Sequence, residues 1–131
     1  MNNDSQWQRR ARVVLGLFFI AAGCNHFVHA EFYVMIMPPY LPWHWELVLI
    51  SGLFEVLGGA GVLITSLRRT AAFGLMALII AVYPANVHMA MNPDLYPALP
   101  PWALYARLPL QFVALAWVYW ACLTKTSKGR L

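Results

Sequence analysis

Four long apolar runs dominate this sequence, and short connectors rich in proline or in charge separate them. About 20 mostly apolar residues are needed to span roughly 30 Å of hydrocarbon. Each run meets that length, and all four are far too long for strands of a membrane barrel. The sequence therefore predicts one all-α membrane domain over residues 1–131, a four-transmembrane-helix bundle with helices at about 13–37, 45–67, 70–91 and 101–123.

The composition fits the same class. Only 11% of the residues are charged, whereas a soluble domain normally carries about a quarter. The formal net charge of +4 does not indicate nucleic acid, because the basic residues flank the apolar runs instead of forming a patch. The lipid bilayer is the expected partner. The arginine-rich start also resembles a signal peptide, but it makes a plausible span and is interpreted as the first helix.

Basic residues are distributed unevenly between the connectors. Eight of the nine Lys and Arg residues lie at the N-terminus, in the turn at 66–70 or in the C-terminal tail. Residues 38–44 and 92–101 contain none, and carry prolines and aromatic residues instead. Cytoplasmic loops are enriched in Lys and Arg. We therefore expect a multi-pass protein of the cell (inner) membrane with cytoplasmic termini and with proline- and aromatic-rich outer loops.

Glu55 and Arg107 are the full charges placed most deeply in the predicted helices. A charged residue at the centre of a membrane helix costs about 2.5–3.5 kcal/mol on insertion scales, so such groups normally face a partner or a cavity. The two have opposite signs, and their depths differ by less than ~10 Å. The sequence predicts an Arg–Glu contact, either direct or bridged by water.

Every predicted helix adds neutral polar groups at a similar height, whereas the inner half is nearly all apolar. His26 joins Glu55 and Arg107 as a candidate catalytic residue. The candidate ligand-binding residues are Asn25, Ser51, Asn86, His88 and Gln111. These groups could equally hold helices together without any ligand. No metal site is predicted, because no spacing motif supports one.

Five strings carry a family resemblance: AGCNHF at 22–27, MPPYLP at 37–42, SGLFE at 51–55, YPAN at 83–86 and RLPLQ at 107–111. In this order they resemble the small DoxX-like membrane proteins, over roughly residues 12–120. The resemblance implies a four-helix membrane bundle and an association with redox chemistry, because the family's name comes from a subunit of a thiosulfate:quinone oxidoreductase. Other relatives are linked to oxidative-stress complexes or to receptor assembly, so fold analogy does not decide the function.

Four functions follow as hypotheses, of which a metal or haem bound by His26 and His88 is ranked low because no spacing motif supports it. The first is a redox-associated accessory subunit of a membrane oxidoreductase that binds a quinone or another lipid-like amphiphile in an outer polar pocket. There Arg107 or His26 would hydrogen-bond a ligand oxygen, and Glu55 would take or give a proton. The second is a non-enzymatic partner that assembles or stabilises a larger membrane complex. The third, a small-solute or proton transporter, is disfavoured because the apolar inner half offers no exit path.

The glycine-rich segment at 58–61 could pack between protomers as readily as within one. A homo-oligomer is therefore open, as is a membrane or redox protein partner. Cys24 and Cys122 are far apart and in no C-x-x-C arrangement, so the chain lacks the cysteine pair of a thiol oxidoreductase.

Overall fold

The computed structural model describes residues 5–97 and 99–124, and the regular secondary structure within these residues is entirely helical. The elements are α1 (Gln6–Val28), α2 (Ala30–Met35), α3 (His44–Val62), α4 (Arg68–Met91) and α5 (Pro101–Val118), with a 3-10 helix at Pro93–Leu95 and a π-helical turn at Tyr119–Leu123 that extends α5. Four of these helices, α1, α3, α4 and extended α5, are long and apolar enough to cross a membrane. The predicted all-helical, four-span architecture is confirmed at this level.

The first predicted helix is divided in two. It leaves helical geometry at His29, with φ −118° and ψ 43°, and the six-residue α2 follows. Pro38 and Pro39 follow two residues after this segment and prevent its continuation as a helix, because proline lacks the N–H. At the other end of the molecule α3 stops at Val62, and a turn leads to α4 at Arg68.

The four long helices form a ring. α1 packs against α3, α3 against α4 and α4 against α5, and the π-helical turn closes the ring against α1. Following the predicted topology, we call the end of the bundle at residues 28, 44, 91 and 101 the outer end, and the opposite end the inner end. Many large apolar side chains point away from the ring; Leu17, Phe54 and Phe112 are each more than half exposed. An apolar outside of this extent fits contact with lipid.

Glycines bring α1 and α3 into backbone contact. A Cβ atom at Gly23 would lie 2.5 Å from the carbonyl oxygen of Gly52, and one at Gly59 would lie 2.6 Å from that of Gly16. Membrane helices pack by van der Waals contact, and small residues allow this close approach. The tight α1–α3 interface follows from these four positions.

The inner half is less apolar than the sequence suggested. Its core contains Leu15, Leu75 and Val118, but Gln8 is fully buried and Arg12 is 5% exposed. Gln8 Nε2 donates to the carbonyl oxygens of Trp120 and Thr124 at 2.6 and 2.8 Å, and Arg12 Nε donates to that of Ala121 at 3.0 Å. The last carbonyls of a helix have no partner within it. These two side chains satisfy them, and they fasten the end of α5 to the start of α1.

We expect Gly23→Ala to destabilise the bundle, because its Cβ would push the α1 and α3 backbones apart. The cost should be about 1–3 kcal/mol, as for other overpacked cores. Gly74→Ala is the matched control: a Cβ there meets nothing within 4 Å, and alanine is the better helix former. Thermal unfolding in one detergent should show a lower Tm for the first variant only. Equal Tm values for both variants would contradict the close α1–α3 packing.

Candidate functional site

His26 near the outer end of α1 and Glu55 near the middle of α3 form an ion-pair contact. His26 Nε2 lies 3.3 Å from Glu55 Oε2, with the side chains 12% and 16% exposed. His26 Nδ1 lies 3.0 Å from the carbonyl oxygen of Val48 and 3.2 Å from Ser51 Oγ. Because a carbonyl oxygen only accepts, the contact with Val48 places a proton on Nδ1. The Nε2–carboxylate contact then needs one more proton, which His26 and Glu55 share.

Gly52 leaves the space between α1 and α3 that the His26 side chain occupies. A Cβ atom at Gly52 would lie 2.6 Å from the Cβ of His26. Gly52 stands one residue after Ser51 and one turn before Glu55, so it lies between the two side chains that contact His26. The glycine that brings α1 close to α3 therefore also admits the histidine.

A second polar pair joins α5 to α4. Arg107 Nε donates to Asn86 Oδ1 at 3.2 Å, and Asn86 is 3% exposed. The other amide atom of Asn86, Nδ2, is buried and has no hydrogen-bond partner. Gln111 follows Arg107 by one helical turn, and its Oε1 is also buried without a partner. Unsatisfied buried polar atoms are rare in folded proteins, so this side of the bundle has hydrogen-bonding capacity left over.

Tyr33 on α2 packs against the first pair, and sequence reasoning did not select it. Its ring centroid is 4.2 Å from that of His26, and its hydroxyl accepts a 2.7 Å hydrogen bond from Asn25 Nδ2. The spacing of seven residues between His26 and Tyr33 was a signal for a shared helix face. We call His26, Tyr33, Ser51, Glu55, Asn86 and Arg107 the outer polar cluster.

The predicted direct contact between Glu55 and Arg107 is not formed. Within residues 5–97 and 99–124, the ion-pair partner of Glu55 is His26 and the hydrogen-bond partner of Arg107 is Asn86. The reason is the order of the helices in the ring: α3 packs against α1 and α4, whereas α5 packs against α4 and, through its π-helical turn, α1. The predicted similarity in depth did not place the two charges on adjacent helices.

His88 lies outside the outer polar cluster. Its Nδ1 is 3.0 Å from the hydroxyl of Tyr96, and its ring packs edge-on against Tyr40 at 5.1 Å between centroids. Asn92 Nδ2 donates to the carbonyl oxygen of His88. Together with Tyr96, which is 2% exposed, these groups pack the connectors onto the outer end of α4. In the described part of the chain, no three His, Cys, Asp or Glu side chains are grouped to hold a metal ion.

Two surface grooves lie away from the cluster. One, of about 460 Å³, runs between α3 and α4 and is lined by apolar residues such as Phe54, Gly58 and Gly74. The other, of about 590 Å³, lies at the break between α1 and α2, beside Glu31 and Trp45. None of the predicted site residues lines either groove.

Tyr96 gives a pH-dependent prediction outside the spans. Burial raises the pKa of its phenol above the usual value near 10, and the neighbouring Tyr40 adds to the effect. Because the folded state favours the neutral phenol, its stabilising contribution is present below pH ~10 and is lost as pH rises through the higher folded pKa. Tm measured against pH should therefore fall more steeply above pH ~10 in the wild type than in Tyr96→Phe. Parallel curves for the two proteins would show that the phenol is not buried.

Comparison with known proteins identifies the family. Searches of curated proteins and of solved structures find no match to this sequence. A family described as "Domain of unknown function (DUF8561)" matches residues 15–122, which extend from the middle of α1 into the π-helical turn after α5. This match includes all six residues of the outer polar cluster. The chain belongs to the DUF8561 family.

Proposed function

We propose that this protein binds the polar head of a small amphiphile, a quinone or a similar lipid-like molecule, in the outer half of its bundle as a redox-associated accessory subunit of a membrane complex. The observation that carries the proposal is the unused hydrogen-bonding capacity beside Arg107. Asn86 Nδ2 is a donor and Gln111 Oε1 is an acceptor, and both are buried without partners. In hydrocarbon such atoms are costly, and a ligand head that carries both an acceptor oxygen and a hydroxyl would satisfy both.

The His26–Glu55 pair supports a role in proton handling. It places an imidazole nitrogen 3.3 Å from a carboxylate oxygen, and both types of group act as acids and bases in proteins. A bound quinone needs protons when it gains electrons and releases them when it loses electrons. In this proposal a partner oxidoreductase exchanges the electrons with the quinone, and Glu55 and His26 exchange the protons.

The resemblance to DoxX-like proteins supports the redox association, since that family's name comes from an oxidoreductase subunit. The distribution of basic residues supports the location that we propose, the cell (inner) membrane with both termini in the cytoplasm. In that orientation the outer polar cluster lies nearer the non-cytoplasmic surface. A ligand would then enter from the outer leaflet.

A titration with a short-chain benzoquinone tests this function. Purified protein in nanodiscs should show saturable quenching of tryptophan fluorescence, with empty nanodiscs as the blank. We expect Arg107→Ala and Glu55→Gln to weaken binding about tenfold or more, the effect of losing a hydrogen bond to a charged group. Glu46→Gln is the matched control, because Glu46 is an exposed carboxylate in the first turn of the same helix as Glu55. No binding, or one affinity for all four proteins, would refute the proposal.

The second candidate is a non-enzymatic partner that assembles or stabilises a larger membrane complex. It is favoured by the apolar groove between α3 and α4, which is lined with small residues such as Gly58, Ala71 and Gly74. In this case the polar pairs would only hold α1 to α3 and α4 to α5. Crosslinking in native membranes separates the two functions: a defined complex that survives Glu55→Gln and Arg107→Ala supports this one, and an uncrosslinked monomer opposes it.

A further inference from the structure

In the described part of the chain, Arg107 has no ion-pair partner of opposite charge. Its Nε donates to the neutral Asn86, whereas its two Nη atoms make no hydrogen bond to any residue in the described part of the chain. The carboxylate at a similar depth, Glu55, is paired with His26. Arg107 lies six residues into α5, about 9 Å along the helix axis from its start. An embedded guanidinium normally has acceptors and a counter-ion. Within the described residues, Asn86 supplies one acceptor and no carboxylate pairs with Arg107.

Asn86 adds a second donor beside this charge. Its Oδ1 accepts from Arg107, which fixes the orientation of the amide and leaves Nδ2 as the unused donor. Because both amide atoms are bonded to one carbon, Nδ2 lies next to the guanidinium. Asn86 is 3% exposed, so bulk water does not satisfy it. The unused groups of Arg107 and Asn86 are donors, and Arg107 carries a positive charge; the unused acceptor on this side of the bundle is Gln111 Oε1, one turn along α5.

We infer that Arg107 and Asn86 bind the oxyanion of a carboxylate-headed amphiphile, such as a medium- or long-chain fatty acid. This inference rests on the proposed function, because it names the class of head group that the outer polar cluster takes. A carboxylate offers only acceptors and neutralises the guanidinium. The planar fork of arginine matches a carboxylate with two parallel hydrogen bonds, and Asn86 Nδ2 supplies a further donor.

A neutral head group fits this pair less well. A quinone carbonyl or an alcohol would accept one hydrogen bond but would leave the positive charge of Arg107 without a counter-ion inside the bundle. Hydrogen bonds between two charged groups are about twice as strong as those between neutral groups. Affinity should therefore depend on the charge of the head when the alkyl tail is kept the same.

The test compares dodecanoate with dodecanol, by calorimetric titration into nanodiscs with empty nanodiscs subtracted. We expect dodecanoate to bind the wild type at least about tenfold tighter than dodecanol. Arg107→Gln should weaken dodecanoate binding about ten- to a hundredfold, the range for losing a hydrogen bond between charged groups. Arg69→Gln is the matched control, because it removes the same charge from an exposed position in the first turn of α4.

Asn86→Asp keeps the test decisive if Arg107→Gln does not fold. An aspartate at this position would supply an internal carboxylate within reach of Arg107 Nε. We expect it to raise Tm and to weaken dodecanoate binding, because the anion site is then filled from within the protein. A lower Tm together with unchanged dodecanoate binding would overturn the inference.

The outcomes also separate this inference from the proposed function. If the benzoquinone binds and dodecanoate binds no better than dodecanol, the charge of the head group is irrelevant and only this inference fails. If dodecanoate binds with the expected dependence on Arg107 and the quinone does not, the inference holds and the quinone is excluded. If none of the three ligands binds, both fail.

Discussion

Polar side chains between membrane helices must be satisfied by protein, because the hydrocarbon interior offers no water. The bundle meets this constraint with pairs between neighbouring helices. His26 with Glu55 joins α1 to α3, and Arg107 with Asn86 joins α5 to α4. Tyr33 packs against the imidazole of the first pair.

The number of long helices was predictable from the sequence, but direction around each helix axis was not. Hydropathy gave the four long apolar helices correctly, because an apolar run of about 20 residues has the length of a membrane span. It could not give the partner of each charge, since that depends on the order of helices in the ring. His26 was selected as a candidate for its type and depth, and the close approach at Gly52 makes it the partner of Glu55.

Two further features that the sequence did not predict lie where a helix departs from regular geometry. The helix breaks at His29 without a proline or glycine next to it, whereas the sequence predicted one continuous helix at about 13–37. At the inner end, α5 finishes in a π-helical turn whose carbonyl oxygens accept from Gln8 and Arg12. Residues that the positive-inside pattern assigns to the membrane surface are there buried and structural. Neither departure has a local sequence signature.

The two pairs of the outer polar cluster differ in the hydrogen-bonding capacity that they leave unused. A complete pair fits a structural role, and an incomplete pair fits ligand binding. Both nitrogens of His26 are occupied, by Glu55 on one side and by the α3 backbone on the other, so the α1–α3 pair is complete as it stands and would suffice to hold two helices. The α4–α5 pair is incomplete, because Asn86 Nδ2 is buried without a partner and the guanidinium of Arg107 uses only its Nε. A purely structural contact has no need for a charge, since an amide pair would join the same helices without the desolvation cost of a cation. The embedded arginine is therefore the part of the cluster that helix packing alone does not explain. A ligand is accordingly expected to bind between α4 and α5, at Arg107 and Asn86.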